Sequence, residues 1–537
     1  MKRKLLFIPL LTLLLTSCEI NWGSFPTDAS LSENTSTSTS SETTSSPTSS
    51  ETSAISEISS SSSSSQTSSI EDNPAIISSA EYYEFWEATT ALDFTLDMSP
   101  EQLQNMSKAG ANKNDPRNEL YFPANLTIKM NGKSFYYEEV GVRMKGNTSR
   151  VDFAPEGEIL EAVGFKIAFD HTWTASQYDA YGLRKTWTKA DPAYVIRNDR
   201  RFLDMKKLDF KYNRSVDLAM INQAFINRLF DANGVLTPHS TMTEFKINNH
   251  QKNTHLGVIF INEVIDKTFI RRHFNNVEDE GDLYKMLWPT DFVLSNTLNS
   301  LGAGVYTVKP DMIGVEDTFN NYHPTYDLKT NETTSTHQAL INLIKTLDQS
   351  KNLSGNSLKQ ALESVVDIDS FLRFAATSYL VGNPDDLRNN SNNVYAYFHP
   401  ITGKAYFIPY DNDWSLGLVW DSGGTEWGLS IADLHPRDSR TALNNTLNNP
   451  LYYYTIVNTN WDNINRDEDY RAQYDQYVQA FATGTSFSIA TYQSLFNTYQ
   501  SVYGTVTSTI NTNTGFISTN VFTQWHQRIN VTIDATY

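Results

Sequence analysis

The sequence predicts an α+β fold in which an antiparallel sheet comes first and helices follow. Three observations carry that prediction. Apolar residues alternate with period two in several runs between positions 125 and 169. The turn dipeptide Asn131-Gly132 joins two of those runs. From about residue 218 onward, apolar residues recur at helical spacing.

Taken in order, Leu126, Ile128 and Met130 alternate up to Asn131-Gly132, so residues 125–137 are predicted to form a β-hairpin. Val140, Val142 and Met144 in GVRMKGNTS predict the next strand, closed by a polar Gly-Asn turn. Phe165, Ile167 and Phe169 in GFKIAFD predict another. A helix follows, with Ser215 as cap and Asp217 against its positive end. Leu218, Ile221, Phe225 and Leu229 give it an apolar face, and Gly234 a left-handed stop. MTEFKIN and HLGVIFINEV predict two strands, with Leu256, Val258 and Phe260 sharing a face; KTFIRRHF predicts a short helix. Residues 289–335 are Asn/Thr-rich and weakly patterned, as loops or an insertion are. Leu340, Leu343, Ile344 and Leu347, then Leu358, Ala361, Leu362 and Val365, predict two helices. A third is predicted after the cap Asp369, carrying Phe371, Phe374, Ala375 and Tyr379. VYAYFHP and KAYFIPYDND predict a hairpin, and the Tyr-, Thr- and Gln-rich tail beyond about residue 440 is predicted to be helical.

The N-terminus has the parts of an export signal: Lys2, Arg3 and Lys4, then an apolar run from Leu5 to Leu15 too short to span a bilayer. Leu15-Thr16-Ser17-Cys18 resembles the bacterial lipobox. That resemblance implies removal of residues 1–17, acylation of Cys18, and a chain anchored to the cell membrane by lipid on its extracytoplasmic side. The alternative is an ordinary signal peptide with a chance cysteine. Cys18 is the only cysteine, which excludes internal disulfides and thiol catalysis. Residues 24–69 are almost all Ser and Thr, too apolar-poor to offset chain entropy, so segment 18–75 is predicted to be a disordered tether. Residues 76–430 then form the main body and 431–537 a mostly helical extension. A net charge of −19 excludes nucleic acid as a partner, since phosphate backbones need clustered Lys and Arg.

The sequence has no GxxxxGK[ST] phosphate loop, no HExxH helix and no GxSxG elbow. Candidate chemistry sits at the ends of apolar strands instead. Asp411 and Asp413 follow YFIPY and, two apart on an extended chain, point to one side. Carboxylates so crowded repel unless a cation or a positive side chain lies between them, and oxygen ligands suit a hard ion such as Mg²⁺; a merely acidic turn is the other reading. Upstream, Asp385, Asp386 and Asn393 precede the strand VYAY. An Asp, then an Asn, then a strand leading to an Asp is similar to the arrangement of protein kinases. Glu263 ends the strand GVIFINE, as a pocket residue or a solvated strand end. Lys145 and Lys166 are cations within strand-like segments, and Lys166 points away from Phe165 and Ile167.

The ordered set GVRMKGNTSR, GFKIAFD, KKLDF, LGVIFINEVIDKTFIRRHF, NNVYAY and FIPYDNDWSLG, over roughly residues 120–420, resembles the spore-coat protein H (CotH) kinase family. The resemblance implies a diverged protein-kinase-like core and an atypical kinase transferring the γ-phosphoryl of ATP, with Mg²⁺ or Mn²⁺, to Ser or Thr of a protein substrate. It implies Asp411 as the metal-binding Asp with Asp413 as helper, Asn393 as the family's Asn, and Asp386 or Asp385 as the catalytic-loop Asp. Glu263 would line the nucleotide pocket. One departure stands out: Ala162, Val163 and Gly164 replace the lysines the family carries before GFKIAFD. Lys166 is then the expected phosphate-contacting cation, with Lys145 and Arg143 as substitutes. If none reaches the phosphates, the chain is an inactive surface binding or adhesion lipoprotein; a two-carboxylate glycoside hydrolase is a distant third reading. The tether's own hydroxyls are a further candidate substrate.

Overall fold

The computed structural model describes residues 76–536 apart from 77, 113, 147–148, 214–215, 276, 288–289, 291, 293–325, 419–448, 457–467 and 511–514. The export signal, Cys18, the tether, the predicted cap Ser215 and the 430/431 boundary lie outside the described residues. So does most of 289–335.

Seven strands form a closed barrel: β1 (Leu92–Asp97), β2 (Phe122–Met130), β3 (Lys133–Lys145), β4 (Gly164–Ala168), β5 (Lys207–Lys211), β6 (Ser240–Asn248) and β7 (Asn253–Glu263). They run in the order β1-β2-β3-β4-β5-β7-β6, antiparallel except for the parallel β1–β6 pair that closes the ring. The class is α+β as expected, but the antiparallel sheet is a barrel. Alternation reveals an apolar face; it carries no signal for a closing pair that brings Asp93 to Lys246, 153 residues away.

Two bulges set which way the strands face. The two strands expected over residues 125–144 are β2 and a single long β3, joined at Asn131-Gly132. In β3, Glu138 and Glu139 stand opposite one residue, with Glu139 at φ +47 and its N–H donated to Asn125 Oδ1 at 3.0 Å. In β7 the register slips beside Gly257, at φ +92. Leu256 therefore packs inside the barrel with Ile259 and Ile261, while Val258 and Phe260 pack outside on the helices. The expected common face of Leu256, Val258 and Phe260 is split, because one extra residue reverses every later side chain.

Around the barrel lie α1 (Ala80–Trp86), α2 (Pro100–Ala111), α3 (Gln177–Ala180) and α4 (Pro192–Arg197). Next comes α5 (Asn222–Ala232), which starts later than its apolar spacing suggested. Asp217 Oδ1 accepts from the N–H groups of Ala219 and Met220, holding a separate turn ahead of it. The short α6 (Lys267–His273) begins at its cap Asp266. A second, antiparallel sheet has the order β11-β10-β8-β9: β8 (Asp282–Met286), β9 (Tyr326–Leu328), β10 (Val394–Phe398) and β11 (Ala405–Pro409). Its β10–β11 hairpin is the predicted one.

Helices α7 (Gln338–Ser350), α8 (Gly355–Glu363) and α9 (Ile368–Val381) follow their predicted spacing. The cap of α9 is Asp367 and not Asp369: Asp367 accepts from Ser370 N, and Asp369 in the first turn pairs with Arg373. After α10 (Leu387–Asn390) and the hairpin come α11 (Pro450–Thr455), α12 (Glu468–Thr483), α13 (Ile489–Tyr503) and α14 (Asn520–Thr536). These late helices share one apolar core with α5, α7, α9 and one face of the second sheet. The other face of that sheet packs Leu283, Tyr397 and Ile408 on α6.

Candidate active site

Alternation along β3, β4 and β5 turns Val142, Met144, Phe165, Ile167, Leu208 and Phe210 into the barrel. The residues between them, Arg143, Lys145, Lys166, Asp209 and Lys211, necessarily face outward together. Strand register lines up Arg143, Lys166 and Asp209 directly. In the second sheet, Lys285 pairs with Tyr395. The two sets meet at Tyr410, just past β11. Lys145 Nζ donates to Asp209 Oδ2 at 2.8 Å and to Tyr410 Oη at 3.3 Å. Lys166 Nζ lies 3.6 Å from Asp209 Oδ1, and Lys285 Nζ sits over the Tyr410 ring at 4.7 Å.

This is a dense charge cluster in which Asp209 is buried and the lysines are half-buried. Burial, then the neighbouring cations Arg143 and Lys145, lowers the Lys166 ammonium to about 8, against the pull of Asp209. Burial and the nearby Lys145 likewise bring Lys285 down to about 8. Asp209 is buried, which works against its charge, yet Lys145 and Lys166 outweigh that and hold its carboxyl well below the usual range.

Beside this cluster, Lys211 Nζ bridges the two carboxylates expected to need a cation. It bonds Asp411 Oδ1 and lies 2.9 Å from Asp413 Oδ2. Burial opposes the Asp411 charge, and Lys211 overcomes it to lower its pKa. Asp411 takes φ +57, a left-handed conformation that Asp tolerates better than most residues. Asn383 Nδ2 fixes the loop by donating to Asp411 O and to Asn412 Oδ1, both at 3.1 Å. From the other side, Asn412 N donates to Gln223 Oε1 of α5 at 3.2 Å. Trp525 of α14 braces the same loops: its indole N–H donates to Leu380 O at 2.8 Å, and its ring packs on Gly382 and Gly417.

Asn393, also left-handed at φ +51, donates through Nδ2 to Asp385 Oδ2 at 2.8 Å and to Asp385 O at 2.9 Å. Its carbonyl accepts from Tyr410 N at 3.2 Å, which seats Asp385 and Asn393 beside the Asp411 turn. Asp386 goes elsewhere. It is buried, and its Oδ1 caps α10 by accepting from Asn389 N at 2.7 Å. Burial raises it to about 7, with Arg388 opposing. Arg143 pairs with Glu119. Glu263 is committed to α1 and α6, accepting from Tyr82 Oη at 2.9 Å, Arg272 at 2.7 Å and His239 N at 3.2 Å.

Among the described residues, no group of three or more His, Cys, Asp and Glu is placed to hold a metal ion. Asp411 and Asp413 do offer the oxygen chemistry of a hard cation that keeps most of its water, with Lys211 as their present counter-charge. Sequence reasoning did not single out Asp209, Lys211, Lys285 or Tyr410. The first two had a signal: Lys207, Asp209 and Lys211 alternate with Leu208 and Phe210, a charged face set against an apolar one.

No curated protein matches the chain. A family model described as CotH kinase protein matches residues 181–534. The match starts later and ends later than the 120–420 stretch that suggested the family. It includes Glu263, Asp385, Asp386, Asn393, Asp411, Asp413 and the late helices, whereas Arg143, Lys145 and Lys166 precede it. Covering well over half of the sequence, this match means that the chain belongs to the CotH kinase family.

Proposed function

We propose that the chain is an atypical protein kinase transferring the γ-phosphoryl of ATP to Ser or Thr hydroxyls of extracytoplasmic proteins, held at the membrane by a lipid on Cys18. The observation that carries this reading is the gathering of Lys145, Lys166 and Lys285 on Asp209 and Tyr410, beside the Lys211-bridged Asp411–Asp413 pair and next to Asn393 and Asp385. Phosphoryl transfer needs little covalent help from a protein; it needs positioning and positive charge around the phosphate oxygens. The three lysines supply that charge. Asp411 and Asp413 would hold Mg²⁺ or Mn²⁺, which when bound neutralises charge on the phosphates. Lys211 competes for the same two oxygens. Of the two loop carboxylates, Asp385 is the better candidate to orient the attacking hydroxyl, because it bonds Asn393 beside the Asp411 turn while Asp386 is consumed as a helix cap. Arg143 and Glu263 act as structural partners in this reading. The Ser/Thr tether of residues 24–69 remains a proposed substrate.

A specific observation favours the alternative, a surface binding lipoprotein without catalysis. Asp209, Asp411 and Asp413 already have lysine partners, so the cluster is electrically satisfied on its own. Transfer of labelled phosphate from ATP with Mg²⁺ or Mn²⁺ separates the two. Asp411→Ala is expected to lower incorporation by about 100-fold or more. Equal incorporation by both proteins, or none by either together with no nucleotide-induced thermal shift, discards the kinase reading.

A further inference from the structure

The loop that leaves α9 reads Gly382-Asn383-Pro384-Asp385. Gly382, at φ +61, closes the helix by donating its N–H to Ser378 O. Pro384 disfavours a helical backbone at the residue before it, and Asn383 stands outside the helix. Asn383 Oδ1 accepts from Asp385 N at 3.0 Å, the Asx turn that an Asn-Pro pair favours. With the oxygen so used, the amide nitrogen faces the loop after β11. There Nδ2 donates to Asp411 O and to Asn412 Oδ1, both at 3.1 Å. The backbone of Asn383 is tied as well, its carbonyl accepting from Asn389 Nδ2 at 2.6 Å. Asn383, Asn389 and Asn412 are all buried.

One short side chain thus holds both loops that phosphoryl transfer would need. Its oxygen fixes the backbone of Asp385, the candidate to orient the attacking hydroxyl. Its nitrogen fixes the carbonyl of Asp411, a candidate metal ligand. The chemistry at the two ends is opposite: Asp385 N needs an acceptor, whereas Asp411 O and Asn412 Oδ1 need donors, and the two sides of a single amide meet both needs. Asn393 clasps Asp385 from its other side, through Nδ2 to Asp385 O and Oδ2. Transfer to a hydroxyl depends on nucleophile, phosphoryl group and metal lying in line, and a misplacement of about 1 Å costs on the order of 100-fold in rate. We infer that Asn383 is a positioning residue that sets the Asp385 carboxylate against the Asp411–Asp413 turn. The inference rests on the kinase reading, and it gives Asn383 no contact with substrate.

The test is steady-state transfer of labelled phosphate from ATP by the full chain, by Asn383→Ser, by Asp385→Asn and by the two combined. Serine can still accept from Asp385 N but is too short to reach Asp411 O. Asn383→Ser is expected to lower kcat by about 100-fold and to leave KM for ATP within about three-fold, since Lys145, Lys166 and Lys285 are untouched. Added to Asp385→Asn it should cost less than about three-fold more, because the carboxylate it positions is already gone. A residue that merely holds the fold would lower both backgrounds alike. Asn412→Ala cuts the same link from the other loop and serves where circular dichroism shows Asn383→Ser unfolded. It is expected to lower kcat by about ten-fold, one hydrogen bond's worth, and to add nothing to Asp385→Asn. Parent-level transfer by a folded Asn383→Ser, or losses that multiply when the substitutions are combined, overturn the inference and leave the kinase reading standing. No transfer by the parent chain overturns both.

Discussion

At the scale of single residues, Asp385 and Asp386 show how two adjacent identical side chains acquire opposite fates. Asp386 is buried as a cap, and its carboxyl is raised from 3.8 to about 7 by that burial. The folded chain thus holds this proton more tightly than the unfolded one, and stability is lost as pH rises from about 4 to about 7. Asp386→Asn keeps the capping oxygen and removes the charge. It is expected to stabilise the chain by about 1–3 kcal/mol above pH 7, with the gain fading toward pH 4, and to leave phosphate transfer intact. Asp385→Asn is expected to do the reverse: little change in melting, and transfer lower by about 100-fold. Thermal melts across pH with labelled transfer check both, and loss of transfer in Asp386→Asn alone returns the catalytic role to Asp386. Lys211→Met leaves Asp411 and Asp413 facing each other, at an expected cost of about 2 kcal/mol. Millimolar Mg²⁺ should then raise its melting temperature more than that of the parent chain.

At the scale of elements, the hairpins were legible because their signals are local. Asn131-Gly132 demands a tight turn, and VYAYF and AYFIP alternate on either side of another. What could not be read was any feature set by a distant partner. Leu256 looks like Val258 in sequence, and only the bulge at Gly257 sends them to opposite sides. Asp411 and Asp413 were legible as a pair needing a cation, but that the cation is Lys211, 200 residues upstream, was not. The β8–β9 pair was hidden because its second strand is three residues long. The α9 terminus gives a test at this scale. Gly382 sits at φ +61, and a Cβ there would overlap the Trp525 ring. Gly382→Ala combines left-handed strain with that overlap and is expected to lower stability by about 2–4 kcal/mol, read from urea unfolding at unchanged m.

For the whole molecule, an acidic chain carries a cationic cluster at one place. If the chain takes a nucleotide as proposed, a net charge of −19 would repel it at long range while Lys145, Lys166 and Lys285 would attract it at contact. Raising ionic strength from low to physiological shortens the screening length to about 8 Å, which weakens the first effect more than the second. The association rate for ATP is therefore expected to rise with salt, where a uniformly basic site would show a fall; stopped-flow binding decides it. The affinity should also fall as pH passes about 8, where Lys166 and Lys285 lose their protons.

Trp525 carries one more implication. Its indole N–H meets Leu380 O across 145 residues of chain, and its ring holds the turns that lead to Asn383 and away from Asp413. A ribosome adding 5–20 residues per second needs roughly 7–30 s to cover that distance. For the last 112 residues of that distance, those after Asp413, every acidic and basic group of the cluster has been synthesised, yet the loops that aim them are unbraced. A chain that lacks α14 therefore keeps every charged group of the cluster but loses the brace on the turns that flank Asp385 and Asp413.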